Sequence, residues 1–284
     1  MSDRRPVHTL RTEHLDLAYD GDLVVRDLDL EVPAGALTVI VGANGCGKST
    51  LLRGIARLLR PRAGTVLLDG KAVHSMPAKE VARLVGILPQ TSTAPEGITV
   101  ADLVGRGRYP HQGWFRQWTS ADDAVVRGAL EATSTLEFAA RRVEELSGGQ
   151  RQRVWIAMAL AQDPDVLLLD EPTTFLDVAH QLDVLDLLHE QNRARGTTVV
   201  MVLHDLNMAA RYADHLVVMA QGRVVARGTP WDVLTPDLVA EAFGLSAQVI
   251  ADPVSGSPMV IPVGRTAGRP APLVPAAPPT ARPD

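Results

Sequence analysis

Apolar and polar positions alternate through LDLAYD and LDLEV, and apolar residues then run almost unbroken through ALTVIVG to Gly42. These patterns predict three strands in the first 42 residues. After GANGCGKST the apolar positions of LLRGIARLL recur at helical spacing, and Pro61 is expected to close that helix. TVLLDG and LVGILPQ predict further strands. From about Thr99 to Arg142 the pattern turns mainly helical, with VADLVGRG and SADDAVVRGALEAT as candidate helices and Ser120 and its neighbouring aspartates as candidate caps. Alternation then resumes as a helix after SGGQ, strand DVLLLD, helix VAHQLDVLDLLHEQ, strand TTVVMVL, helix DLNMAARYA and strand HLVVMA. Strands alternating with helices predict a mainly parallel sheet covered on both faces, with a helical block inserted between two α/β halves. WDVLTPDLVAEAFG predicts short helices and QVIADPVSGSPMVIPV a hairpin. The Ala- and Pro-rich stretch from Arg265 to Asp284 has little to pack and is expected to be disordered.

Composition narrows the class. With 284 residues, 46% of them apolar and 21% charged, the chain can bury a sizeable core. A net charge of -5 and a pI near 5.9 count against a dedicated nucleic-acid binder. The single cysteine, Cys46, excludes an intramolecular disulfide and fits a reducing compartment. MSDRRPVHTL lacks the apolar segment of a secretory signal, and no apolar run approaches the ~20 residues needed to span a bilayer. A soluble, cytoplasmic protein is expected.

Gly42 to Ser49 reads G-x-x-x-x-G-K-S, after a strand and opening a helix. Gly42, Gly45 and Gly47 let backbone N–H groups curl round phosphates, reinforced by the helix N-terminus. Lys48 can reach the β- and γ-phosphate oxygens, and the Ser49 hydroxyl can ligate Mg²⁺. Asn44, Cys46 and Thr50 complete the expected nucleotide-contacting stretch. Cys46 has two readings: a small tolerated residue, or a redox-sensitive thiol whose pKa the nearby helix N-terminus would lower.

VLLLDEP, from Val166 to Pro172, is an apolar strand that ends in two acids. Asp170 is placed to hold Mg²⁺, and Glu171 to orient or deprotonate a water for in-line attack. LSGGQRQR reads as a helix start, with Ser147 as cap and Gly148 and Gly149 exposing backbone N–H groups. Such an end binds an anion, yet the phosphates already have a cradle. Two half-sites completed by a second copy account for both.

GANGCGKST, LSGGQ, VLLLDEP and a following histidine, in this order and spacing over about Leu10 to Gln221, resemble the motif set of ATP-binding cassette (ABC) ATPases. The resemblance implies a P-loop NTPase core of ABC type: a mainly parallel sheet, an N-terminal antiparallel β part and an inserted helical subdomain. The implied layout is an ATP-binding domain over 8–245 with the helical subdomain at about 91–161, a hairpin extension over 246–265 and a disordered tail over 266–284. It implies that Tyr19 stacks on adenine, that Gln90 touches Mg²⁺ and the attacking water, and that Ser147, Gly148, Gly149 and Gln150 cap the γ-phosphate bound by the other subunit. Asp177 matches the aspartate after the acidic pair, and His204 the histidine that contacts the γ-phosphate. The implied cofactors are ATP and Mg²⁺.

Several members of that family are open to such a chain. DNA-associated relatives separate the two nucleotide motifs by long coiled coils, whereas about 100 residues without heptads intervene here. Soluble translation-type relatives carry two cassettes, and exporters often fuse a membrane domain. GRYPHQGWFRQW, from Gly107 to Trp118, with HDLNMAARYADHLVVMAQGRVVARGTPWDVLT and VIADPVSGSPMVIP, is most similar to ATPases of iron–siderophore, haem and cobalamin importers. That resemblance implies a homodimer in the ATP-bound state on the cytoplasmic face of the membrane, two transmembrane permease subunits, an extracytoplasmic binding protein that delivers substrate, and no nucleic acid. A different transported substrate or an exporter stays open. The aromatic stretch, with Arg108 and Trp114, is expected to dock a permease, or else to cover the insertion's own small core.

Overall fold

A computed structural model describes residues 8–113, 118–174 and 176–264. Strand β1 (Leu10–Tyr19) turns into β2 (Asp22–Val32) through Asp20 and Gly21, both at positive φ, as a two-residue hairpin requires. β3 (Leu37–Gly42) is buried along its whole length and leads into α1 (Lys48–Ile55). Then follow β4 (Ala63–Leu68), β5 (Lys71–Ala72), α2 (Ala78–Leu84) and β6 (Val85–Leu88). The helical insertion holds α3 (Val100–Gly105), α4 (Ser120–Ala132) and the start of α5 (Gly148–Ala161). The chain returns through β7 (Val166–Asp170), α6 (Val178–Arg195), β8 (Thr198–Val202), α7 (Leu206–Tyr212), β9 (His215–Ala220) and β10 (Arg223–Gly228). It continues with α8 (Pro230–Val233), α9 (Pro236–Phe243) and the pair β11 (Ala247–Ala251) and β12 (Pro258–Pro262).

The strands form an antiparallel sheet in the order β2-β1-β4-β5 and a larger one in the order β10-β9-β3-β8-β7-β6. The larger sheet is parallel except for β10. Its central parallel strands read as continuous apolar runs because both faces are covered. Successive side chains go to opposite cores. Val39, Val41, Leu167, Leu169, Val199 and Met201 share one core with residues of α3 to α7. Ile40, Val166, Leu168, Val200, Val202 and Val217 face the other, against Leu51 and Leu52 of α1 and Leu15, Leu17 and Val25 of the antiparallel sheet.

Two local expectations change. The helix after the glycine loop stops at Ile55, well before Pro61, because Arg57 takes a left-handed conformation (φ 64°). The cap of α4 is Thr119 rather than Ser120: its hydroxyl accepts from the Asp122 N–H, and the Asp122 carboxylate accepts in return from the Thr119 N–H. Helix α2 and edge strand β10 carry no clear sequence signal, since KEVARL spans under two turns and β10 is only half buried. The Ala- and Pro-rich stretch from Arg265 lies outside the described residues.

The strand order decides where the chemistry gathers. β3, β8, β7 and β6 are neighbours, so the segments leaving their C-terminal ends stand side by side. Those segments carry Gly42 to Ser49, His204, Asp170 with Glu171, and Gln90.

Candidate functional site

The glycine loop is held by close backbone approach. A side chain on Gly42 would place its Cβ 2.2 Å from the Met219 carbonyl oxygen of β9 and 2.7 Å from the Cys46 sulfur. Gly47, which caps α1, has φ 104°, a region that favours glycine. Lys48 is buried, and its Nζ donates to the loop's own carbonyls, Gly42 O at 2.8 Å and Ala43 O at 3.0 Å. The ammonium is thus fixed across the mouth of the loop. Asn44 and Gly45 are exposed on its outer curve, and Thr50 is buried beneath it.

The Ser49 hydroxyl donates to Asp170 Oδ1 at 2.8 Å, bridging the loop to the end of β7. Burial pushes the Asp170 carboxyl above the usual carboxylate range, and the neighbouring Glu171 charge adds to that; the Ser49 hydroxyl, Arg53 and the Gln90 backbone N–H pull it back only in part. A buried carboxylate under that strain, beside a hydroxyl, is an oxygen-only donor set that fits a hard divalent cation such as Mg²⁺. Gln90 therefore reaches this centre through its backbone, with an exposed side chain.

Glu171 follows at once. It is buried and sits at φ 56°, a left-handed conformation that costs a non-glycine residue ~1–2 kcal/mol. Such strain concentrates at functional positions. Oε1 lies 2.6 Å from His204 Nε2, and Oε2 accepts from the Thr174 hydroxyl at 3.2 Å. Both carboxylate oxygens are thereby aimed. His204 comes from the other side, just after β8, with its side chain about half exposed.

Among the described residues, no hydrogen bond joins the remaining expected residues to this centre directly. Ser147 caps α5 in a reciprocal box: Gln150 N donates to the Ser147 hydroxyl (3.2 Å), and Ser147 N to Gln150 Oε1 (3.0 Å). Ser147 and Gly148 are exposed, Gly149 half-buried, and among the described residues no hydrogen bond ties them to the glycine loop. Tyr19, at the end of β1, is 38% exposed and accepts from Arg53 at 3.2 Å. Asp177 caps α6, and the His180 backbone N–H, followed by its imidazole, holds the Asp177 carboxyl below the usual range.

Burial bears on two readings that were open. Burial pushes the Cys46 thiol up, outweighing the Lys48 charge and backbone N–H groups that favour the thiolate. Burial thus favours the small tolerated residue over the redox-sensitive thiol. Arg108, expected on a docking surface, is buried: its Nε pairs with Asp122 Oδ1 at 2.9 Å and its NH1 donates to the Ala161 carbonyl at 2.9 Å. Tyr109 and Trp118 are exposed on either side, while Trp114 and Phe115 lie outside the described residues. Sequence reasoning missed Thr174 and also Gln152, whose Nε2 donates to Pro172 O at 3.1 Å and ties α5 to the loop beyond Glu171. Both act on a backbone or a neighbouring side chain, contacts that leave no spacing signal.

A sequence profile of the ABC transporter family matches residues 25–174. The chain is 52% identical to the petrobactin import ATP-binding protein FpuD of Bacillus anthracis, over 90% of this chain and 94% of that protein. It is 51% identical to the ferric enterobactin transport ATP-binding protein FepC of Escherichia coli (strain K12), over 92% and 96%. A dimeric structure of MJ0796, a bacterial ABC transporter cassette, superposes with a TM-score of 0.71 at 26% identity, covering 78% of this chain and 98% of that one. Among the described residues no helix is long and apolar enough to cross a membrane.

Proposed function

The chain belongs to the ABC transporter ATP-binding family, and on that premise we propose that it energises the import of a ferric siderophore or a related iron, haem or cobalamin compound. It is an ATPase whose hydrolysis is coupled to transport. The observation that carries the reading is the meeting of the Ser49–Asp170 and Glu171–His204 pairs at one edge of the sheet, beside Lys48.

The residues divide the work. The loop N–H groups and Lys48 bind the β- and γ-phosphates, and Tyr19 stacks on the base, worth ~1–3 kcal/mol. Ser49 and Asp170 would hold Mg²⁺, with the Gln90 backbone N–H steadying the Asp170 carboxylate; the ion would supply charge neutralisation on the phosphate oxygens. Glu171 orients the attacking water and takes its proton, a role worth ~10²–10⁴-fold in rate. Its two oxygens are fixed by His204 and Thr174, so it needs little reorganisation when the water arrives. His204, half exposed, is the group proposed to contact the γ-phosphate while its Nε2 steers Glu171.

The exposed start of α5 supports a dimer. Among the described residues no hydrogen bond joins the anion-binding helix end at Ser147, Gly148 and Gly149 to the glycine loop of its own chain, so a second copy is the proposed source of its phosphate. Closure of two chains over two ATP and reopening after hydrolysis drive the permease subunits, on the cytoplasmic face of the membrane. An extracytoplasmic binding protein delivers the substrate, which does not touch this chain. Tyr109 and Trp118 on the helical insertion are the surface offered to the permease.

Glu171→Gln tests the assignment. The variant keeps ATP binding, loses turnover by ~10²-fold or more, and accumulates as an ATP-bound dimer on gel filtration. Hydrolysis at the wild-type rate would remove Glu171 as the base.

A further inference from the structure

The C-terminal hairpin lies beyond the residues matched by the family profile, yet it reaches the helix that follows His204. β12 turns both backbone groups of Val260 away from β11. Val260 N–H donates to Asn207 Oδ1 at 2.7 Å, and Asn207 Nδ2 donates to Val260 O at 3.3 Å. One asparagine amide thus does for the strand edge what a neighbouring strand would do. The Val260 side chain is buried in the same core as Ala209, Ala210 and Tyr212 of α7.

α7 is only seven residues long, too short to be stable without tertiary support. Two things hold its first turn. Asp205 Oδ1 accepts from the backbone N–H groups of Asn207 (2.8 Å) and Met208 (2.9 Å), and the Asn207 side chain grips the hairpin. The hairpin is anchored in turn: Trp231 Nε1 donates to Gly256 O at 3.1 Å in its turn, and Val263 N to Ser246 O at 2.8 Å at its base. Ala247 and Val249 of β11 pack on the main core. The hairpin is thus tied through Asn207 to the first turn of α7, whose cap Asp205 is the chain neighbour of His204, and His204 pairs with Glu171.

We propose that Asn207 is a positioning residue for ATP hydrolysis: it clamps the C-terminal hairpin to the start of α7 and so holds His204 against Glu171. This rests on the reading of His204 as a residue of the hydrolytic centre. The hairpin is then a working part of the ATPase, able to raise or lower turnover through one side-chain amide without touching nucleotide.

The test uses the full chain and four proteins: wild type, Asn207→Leu, His204→Ala and the double variant. Leucine keeps the volume and removes both hydrogen bonds. The Asn207→Leu variant is expected to lower kcat about fivefold, the effect of losing one net hydrogen bond's worth of positioning, with KM for ATP changed by less than about twofold. In the His204→Ala background the same change has no further effect, because both act on one step. Should Asn207→Leu not fold, Asn207→Ala removes the same two hydrogen bonds and carries the same expectation. Wild-type kcat in Asn207→Leu with slow His204→Ala overturns the clamp and leaves the role of His204 standing. Losses that add fully in the double variant overturn it too, since they mark a structural effect. Wild-type turnover in His204→Ala removes the role of His204, and the clamp with it.

Discussion

Arg108→Ala separates packing from docking in the helical insertion. Arg108 and Asp122 are buried, with side chains 8% and 3% exposed, and pair at 2.9 Å. The guanidinium also ties the insertion to the end of α5 through the Ala161 carbonyl. Removing it leaves a buried carboxylate supported only by the Thr119 hydroxyl and N–H. Losing a charged hydrogen-bond partner from a carboxylate that keeps the Thr119 bonds costs ~1–3 kcal/mol. With an m-value of about 3 kcal/mol per M, the urea midpoint falls by about 0.3–1 M. The Thr119 hydroxyl, then Arg108, hold the Asp122 carboxyl below the usual range. A depressed folded-state value means the contribution is complete above the unfolded value of about 4 and disappears as pH falls through the folded one. The gap between wild type and variant should therefore narrow only below about pH 4. Urea titrations followed by tryptophan fluorescence at several pH values measure both effects. A midpoint unchanged within about 0.2 M, together with lost binding to the permease, would refute the structural role and restore Arg108 to a docking surface.

Two further outcomes follow from the glycine loop. Gly42→Ala, with a Cβ 2.2 Å from the Met219 carbonyl, forces the loop off β9 and should abolish ATP binding in a fluorescent-nucleotide titration; near wild-type affinity would show that the loop tolerates the shift. Cys46, buried and with its thiol pushed up, should be alkylated by iodoacetamide at pH 7.5 at least about tenfold more slowly than glutathione. Faster labelling would mean that the thiolate is stabilised after all, and would reopen its redox reading.

Much of the site is legible in the chain because it is built from local spacing. Lys48 and Ser49 follow the glycines directly, Asp170 and Glu171 are adjacent, and Ser147 caps the helix that its own hydroxyl starts. These are short-range consequences of where a strand ends and a helix begins, and they appear in the sequence as motifs. Strand type is legible for the same reason: LTVIVG and VLLLD are apolar throughout because both faces of their sheet are covered.

The meeting of the parts is a different matter. That β8 lies between β3 and β7 cannot be read from any window of residues, yet this order brings His204 within 2.6 Å of Glu171 and Ser49 within 2.8 Å of Asp170. Arg108 shows the same limit from the other side. In sequence it stands among aromatics and reads as surface; in three dimensions α4 and α5 close over it, and a buried charge must then be paired. The Asn207 clamp depends on a strand edge more than fifty residues away. The sequence by itself determined the nucleotide chemistry and the kind of sheet, because those follow from neighbours along the chain. Which groups touch, which charges are buried and what steadies His204 were decided only by tertiary packing, because burial and long-range pairing depend on how distant segments come together.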